Sequence, residues 1–401
     1  MPIYRGLAAI SMLILASLPS AAQEAEAGIA APISITGGAL YSHRMQGDNP
    51  AAGPIDGAFH ASFSPSLRLS AHWFAYASIQ VFSTPFYYYD AFQAEHKVEV
   101  HPIQAFVGYT TTYKSATILV KAGQLATAFG SFPLHYDDAD NPLLDQPLSY
   151  ATYVKPPVPS ICNSWNPPSA CQQVNYYGYT PVTLYGLPGV EVDVSVHNLD
   201  TRLQITSSSP ANPQNLLSGS QYGQWTAGGG YTLIQGLRVG SSVFHGPYLD
   251  RDSGVWLPPG KTLTAFPATG AGMDAQWARG RWNMSGEWQW FHFDCPGFRI
   301  SPSTAIGYAE LKAVLTPRFY AALRIADQHN GRVAQAGQSI SEGFQTNLQS
   351  YEFALGFRPT RWELWKLGYE WVRTSDAPGT RDNVLGVQLV TTLPTLSRSW
   401  R

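Results

Sequence analysis

From residue 31 onward, apolar and polar positions alternate with a period of two rather than 3.6. Leu67, Leu69, Ala71, Trp73, Ala75, Ala77 and Ile79 alternate with Arg68, Ser70, His72, Phe74, Tyr76 and Ser78. Ile103, Ala105, Val107, Tyr109 and Thr111 repeat the pattern, and Val190, Val192, Val194 and Val196 stand against Glu191, Asp193, Ser195 and His197. Trp282, Met284, Gly286, Trp288 and Trp290 form another row, as do Tyr351, Phe353, Leu355 and Phe357, then Trp365, Leu367, Tyr369 and Trp371. Such rows predict strands with one apolar and one polar face. No amphipathic helical pattern interrupts them.

The connections between rows alternate in length. Short ones are expected near 64–65, 113–115, 187–189, 235–236, 280, 316–317 and 359–360, and long ones near 43–56, 83–98, 126–175, 207–221, 247–263, 293–303, 328–348 and 374–382. This rhythm predicts an all-β fold, a transmembrane antiparallel up-and-down β-barrel of about sixteen strands, with short periplasmic turns and long outer loops. The first strand is expected at 31–42 and the last at 383–393. An even count returns both ends to one side and lets the sheet close without a free edge. The apolar phase slips by one between Val196 and Leu203. A bulge there keeps the count near sixteen; an extra hairpin at Asn198–Thr201 raises it to about eighteen.

Alternation alone does not say which face meets lipid, because a soluble sandwich alternates too. Two features favour a membrane. Trp282, Trp290, Trp365 and Trp371 sit at strand ends, where indole rings match the headgroup level. The charges within strands fall on the opposite face, where they avoid a cost of about 2–4 kcal/mol each at mid-bilayer. A barrel of this size leaves an aqueous lumen. The pore-lining candidates are therefore Arg68, Lys121, Arg238, Asp274, Arg281, Glu287, Glu310, Lys312, Arg324, Glu352, Lys366 and Glu370. With Glu191, Asp193, Arg318 and Arg358, they make a wall nearly balanced in charge.

Composition narrows the classes further. A chain of 401 residues would ordinarily fold as two or three soluble domains. Only 13% of its residues are charged, about half the usual share, while 13% are aromatic, which excludes a disordered chain. A net charge of −2 excludes a strongly basic nucleic-acid binder. Residues 1–22 read as a signal peptide: Arg5 supplies the basic start, an apolar run spans residues 7–18, and Ser20 and Ala22 precede a cleavage site before Gln23. Residues 23–30 are then a short periplasmic segment and 31–401 the barrel. No later apolar run is long enough for a membrane helix. Cys162 and Cys171 are placed to close a disulfide loop in an oxidising compartment, leaving Cys295 as a free thiol.

Residues 123–150 read GQLATAFGSFPLHYDDADNPLLDQPLSY. Gly123, Phe129, Gly130, Asn141, Pro142, Leu143, Pro147, Leu148 and Tyr150 resemble a segment that follows an early strand in bacterial outer-membrane porins, most closely in the phosphate-selective porin-like group. The resemblance implies an outer-membrane channel, commonly a homotrimer, with the third long loop folded inward. The chain departs from the pattern by ending Ser399-Trp400-Arg401, beyond the expected last strand, and by lacking a basic ladder for phosphate.

The third long loop, 126–175, is also the longest, and it carries Asp137, Asp138, Asp140 and Asp145. It is the candidate constriction, with its acidic cluster facing Arg238, Arg281, Lys312 and Arg324 across a transverse field. The opposed reading places that cluster on the outer surface. A calcium site is disfavoured, because the spacing lacks the Gly and distal Glu of a calcium loop. Tyr87, Tyr88, Tyr89 and Phe92, with Tyr176, Tyr177 and Tyr179, are candidates for stacking on sugar rings. No nucleophile elbow or zinc helix motif is present, so an enzyme is not expected, nor a cofactor or metal. The expected activity is passive diffusion of small hydrophilic solutes or ions, with outer-membrane lipid as the other partner and no nucleic acid. The alternatives are a closed outer-membrane barrel for surface binding or adhesion, and a secreted soluble β protein that binds carbohydrate.

Overall fold

The computed structural model describes residues 27–42, 54–84, 97–134, 137–152, 154, 182, 186–209, 211, 223–249, 257–335, 342–343, 345–374 and 381–400. The signal segment 1–22 and the pair Cys162 and Cys171 lie outside these residues, as do Tyr87, Tyr88, Tyr89, Phe92, Tyr176, Tyr177 and Tyr179.

Sixteen antiparallel strands form one closed barrel. They are β1 (Ala27–Tyr41), β2 (Ile55–Phe63, resumed at Ser66–Arg68), β3 (Trp73–Thr84), β4 (Lys97–Tyr113), β5 (Ala116–Leu125), β6 (Leu187–Val196), β7 (Leu199–Thr206) and β8 (Gln224–Ile234). The second half comprises β9 (Leu237–Pro247), β10 (Pro267–Arg279), β11 (Trp282–Phe293), β12 (Ser303–Val314), β13 (Phe319–Asn330), β14 (Leu348–Phe357), β15 (Glu363–Thr374) and β16 (Arg381–Trp400). Each strand pairs with its neighbours in sequence. The wall closes where β1 pairs with β16, from Ala27 opposite Trp400 to Tyr41 opposite Leu385. Closure leaves no edge on which another chain could add. A small separate sheet of Phe298–Ile300, Arg332–Gln335 and Glu342–Gly343 forms among the long loops.

The tight reversals all lie at one end. Lys114 (φ 54°), His197 (φ 51°), Gly236 (φ 87°) and Gly280 (φ 60°) adopt the left-handed conformation that turns a chain sharply. The expected turns at 235–236 and 280 are found there. One open alternative is resolved, and several expectations are corrected. The phase slip near residue 197 is a true hairpin at His197 and Asn198, separating β6 from β7. Leu187 and Gly189 are not a turn but the start of β6, and the two described residues before it, Val182 and Gly186, are outside any strand. The missing turn at 187–189 offsets the extra hairpin, so the count stays at sixteen rather than eighteen. Ser64 and Pro65 interrupt β2 rather than ending it; they face Pro32 of β1, where the β1–β16 register also shifts, because proline cannot donate to the ladder. Finally, β1 starts at Ala27, within the segment expected to precede it, and the backbone of β16 stays paired with β1 as far as Trp400, past the expected end at residue 393.

The alternation divides lumen from lipid. Ile35, Phe59, Trp288, Phe353, Leu367 and Val387 project outward and are exposed, while Thr36, His60, Glu287, Glu352, Lys366 and Gln388 project inward and are buried. Outward aromatics flank the band at both ends, with Trp73, Trp282 and Trp365 near the tight turns and Tyr41, Trp225 and Trp290 near the loops. A surface of that kind is stable only against hydrocarbon. Among the described residues no helix is long and apolar enough to cross a membrane; the barrel crosses with strands.

Candidate functional site

The segment after β5 turns into the barrel instead of rising away from it. Phe129 is fully buried, packed edge-on against Phe244 of β9 at 5.0 Å and tilted against Phe291 of β11 at 5.7 Å. The next residue must be glycine. Gly130 has φ +77°, and a Cβ there would run into the Tyr150 hydroxyl. Its N–H donates to Ser242 Oγ at 2.9 Å. Phe129 and Gly130 both lie in the 123–150 segment singled out in the sequence, and the structure supplies their physical reason.

Glu287 of β11 fastens both arms of this loop. Its Oε1 accepts from Ser131 N (3.2 Å), Ser131 Oγ (2.9 Å), Phe132 N (2.8 Å) and Tyr308 Oη (2.9 Å). Its Oε2 accepts from Tyr150 Oη (2.7 Å) and Gln289 Nε2 (2.6 Å). Tyr150 lies in a one-turn helix, Leu148–Ala151, whose residues are all buried. Burial and the Glu287 charge hold the Tyr150 phenol well above its ordinary pKa, so it remains a donor.

Between these arms the loop crosses to the opposite wall. Asp138 Oδ2 accepts from Thr36 Oγ1 of β1 at 2.6 Å and lies 2.6 Å from His60 Nδ1 of β2. Burial pushes its carboxyl up, but the charge and hydrogen bond of His60 outweigh burial and hold it below the usual aspartate value. Farther on, Leu144 N (2.7 Å) and Asp145 N (3.1 Å) donate to Glu352 Oε1 of β14. Arg324 of β13, only 2% exposed, spans Glu310 (2.8 Å), Glu352 (3.1 Å), the Asp145 carbonyl (2.8 Å) and Asn141 Oδ1 (3.3 Å). Lys366 of β15 donates to the Leu143 carbonyl at 3.0 Å, Gln388 of β16 to the Leu144 carbonyl at 2.9 Å, and Arg358 to the Ala139 carbonyl at 2.8 Å. Leu143 itself packs among Tyr320, Ala322, Ala354 and Leu364. Burying a leucine contributes about 1.5–3 kcal/mol, so apolar packing and charged hydrogen bonds both tie the loop down.

Among the remaining wall charges, two clusters pair across strands. Lys121 of β5 bridges Glu191 and Asp193 of β6, the latter at 2.8 Å. Arg238 of β9 reaches Asp200 (2.7 Å) and Asp274 (2.9 Å). The Lys312 ammonium lies 4.6 Å from the centroid of the Tyr320 ring. Glu370 is buried on β15, opposite Glu352. Arg68 sits at the tight-turn end, 3.3 Å from the Ser70 carbonyl.

The expected opposition of loop acids and wall bases takes a different form. Arg281 lies exposed in the turn after Gly280, not on a wall strand. Arg238 is engaged by wall carboxylates. Arg324, Lys366 and Arg358 meet loop carbonyls, because the peptide groups of a loop buried in the lumen need donors as much as its carboxylates do. Asp138 and Asp145 are buried against the wall, whereas Asp140 is exposed and Asp137 half-buried. Counting only charges on the sequence missed Thr36, His60, Ser242, Tyr308, Tyr320 and Gln388. For all but Thr36, whose strand carries no charge, the available signal was a residue with a polar group in phase with the charges of its strand. Among the described residues no group of His, Cys, Asp or Glu is placed to hold a metal ion.

No family model and no curated protein sequence matches this chain. Its fold is similar to that of OmpT, an outer membrane protein of Vibrio cholerae, with TM-score 0.54 and 8% identity over 91% of this chain and 98% of that one. It is also similar to the outer membrane channel DcaP of Acinetobacter baumannii, with TM-score 0.52 and 11% identity over 92% and 99%. A third similar structure is OmpF of Salmonella typhi in complex with daunomycin, with TM-score 0.51 and 9% identity over 91% and 97%. At these identities the likeness concerns the fold, that of bacterial outer-membrane barrels.

Proposed function

We propose that the protein is an outer-membrane porin that passes small hydrophilic solutes or ions by passive diffusion. The observation that carries this reading is a closed barrel whose polar lumen is crossed by an inward loop pinned at residues 129–150. A wall of paired charges lowers the cost of moving an ion from bulk water into a pore, and a loop across it sets the narrowest section. The constriction assigned to Asp137, Asp138, Asp140 and Asp145 belongs to this proposal, with Asp140 as the exposed acid. So does a homotrimer, by analogy with the trimer form described for OmpT of Vibrio cholerae. The phosphate-selective specialisation is not part of it, since Lys121, Arg238 and Arg324 are engaged by carboxylates and Lys366 by a loop carbonyl.

The test is single-channel conductance of the detergent-refolded mature protein in a planar bilayer. Stable open steps are expected, with a mild cation preference in a salt gradient. Deleting residues 135–148 should raise the conductance. A second reading, a closed barrel used for surface binding, draws on the apolar cluster in which Phe129, Leu148, Phe244, Phe291 and Ile306 fill part of the lumen. A folded, heat-modifiable protein without conductance favours that reading instead.

A further inference from the structure

One sector of the inner wall differs from the rest. Toward the tight-turn end of β3 and β4 the lumen face carries rings, whereas Glu99 and His101 share that face nearer the loops. Tyr76 lies directly opposite Phe106, their centroids 5.5 Å apart at 44°, and Phe74 meets Phe106 edge-on at 6.0 Å. All three are half-exposed, in contrast to the deeply buried wall around Arg324 and Lys366. The tip of the Phe74 ring occupies the place a Cβ would take on Gly108, so the ring lies along the wall and leaves the lumen clear.

The rings adjoin the ion pairs. The strand register places Phe74, Gly108, Lys121, Glu191 and Gln204 on one line across five adjacent strands. At about 4.8 Å per strand, Phe74 lies about 14 Å from Glu191. Gln204 ends the line at the loop, donating to the Ala126 carbonyl at 2.8 Å. Next to it, Asp193 Oδ1 and Arg202 Nη1, on residues that face each other in the register, have no hydrogen-bond partner among the described residues.

We propose that this sector binds a neutral polyhydroxylated ring, such as a pyranose unit of a short saccharide. The C–H face of the sugar would rest on Tyr76 and Phe106, with its hydroxyls toward Lys121, Asp193 and Arg202. The proposal rests on the channel reading, because the solute must enter the lumen to reach the rings. Aromatic faces also attract organic cations. Here, however, the Lys121 ammonium already lies 5.8 Å from the centroid of Phe106, and it pairs with Glu191 and Asp193. A charged ligand must break that set. A hydroxyl donates to a carboxylate and accepts from an ammonium at once, so it joins the set without breaking it. A length of about 14 Å suits two or three sugar units in line.

The test is block of the ion current by maltotriose in planar bilayers, beside mannitol, which has hydroxyls but no ring face, and 2-phenylethanol, which has an aromatic ring and one hydroxyl. Maltotriose is expected to block saturably and mannitol not to. Tyr76→Ala or Phe106→Ala should raise the half-blocking concentration about tenfold, the scale of one stacking contact. Open channels without saturable maltotriose block, or with block that both variants leave unchanged, overturn the site while the porin reading stands. Stronger block by 2-phenylethanol overturns the saccharide assignment in favour of aromatic solutes. If the protein folds but does not conduct, the porin reading fails. Calorimetric titration of the detergent-folded barrel with maltotriose then decides: Tyr76-dependent binding supports the site and its absence overturns it.

Discussion

Replacing Glu287 by alanine tests whether the inward loop is held by specific bonds or merely rests in the lumen. The carboxylate accepts from two backbone amides, Ser131 and Phe132, and from the buried Tyr150 phenol. A hydrogen bond to a charged acceptor contributes about 1.5–3 kcal/mol net. The hydroxyls of Ser131 and Tyr308 can rotate toward water, but the amides are fixed by the turn at Gly130. Counting the amides and the phenol, and letting water refill part of the space, docking of the loop weakens by about 3–6 kcal/mol. That is a factor of about 10²–10⁴ in the ratio of docked to undocked loop. Glu287→Gln keeps one acceptor oxygen and should cost about 1–2 kcal/mol. Two assays follow the loop directly: single-channel conductance, which should rise and become noisier, and chymotrypsin cleavage at Leu143, Leu144 or Tyr150, which the docked loop resists. Wild-type conductance together with wild-type protease resistance in Glu287→Ala refutes the argument, because the barrel wall does not depend on this side chain for its ladder.

The Asp138 contact with Thr36 and His60 should be acid-sensitive. Its folded pKa lies below the unfolded value of about 3.9, so its stabilisation is complete above that value and is lost as pH falls through the lowered one. Channel noise should therefore stay level down to a pH of about 4 and grow below it, and Asp138→Asn should show the same noise at neutral pH with little further change on acidification. Trp288, 53% exposed in the middle of β11, faces mid-bilayer; Trp288→Arg should cost about 2–4 kcal/mol in refolding into lipid vesicles, whereas Trp282→Arg at the strand end should cost about 0–1. Cys295 is buried 3.1 Å from the Tyr248 hydroxyl, and burial pushes its thiol up to about 12. Site-resolved mass spectrometry should find it unlabelled by maleimide at pH 7.5 in the folded barrel and labelled after heating. Rapid labelling of the folded protein would show that the loops over it open.

The period-two rows, the short–long rhythm and the nearly charge-free outer face specified a membrane barrel of about sixteen strands, a count that held because a turn too many near residue 188 offset one too few near 197. Those features are local, because side chains on a strand take alternate faces whatever the strand pairs with. Register and turns depended on partners. Nothing local to Leu187 and Gly189 shows that they begin β6, or that the true reversal is at His197. Pro65 explains the break in β2 only once the chain is seen to pass Pro32 of β1, whose carbonyl accepts from Ser64 N. The inward loop was legible as a length and a motif, but its attachments were not. Glu287 and Ser131 are 156 residues apart, and Gln388 and Leu144 are 244 apart. Contacts at such separations leave no periodic trace along the chain. Sequence charge therefore suggested carboxylates facing bases across an opening, whereas closure of the barrel brought Arg324, Arg358 and Lys366 onto the carbonyls of a buried loop. Phe74 and Tyr76 had appeared only as members of an alternating row, and Phe106 in none. The cross-strand register decided which face they share and that Lys121 lies beside them.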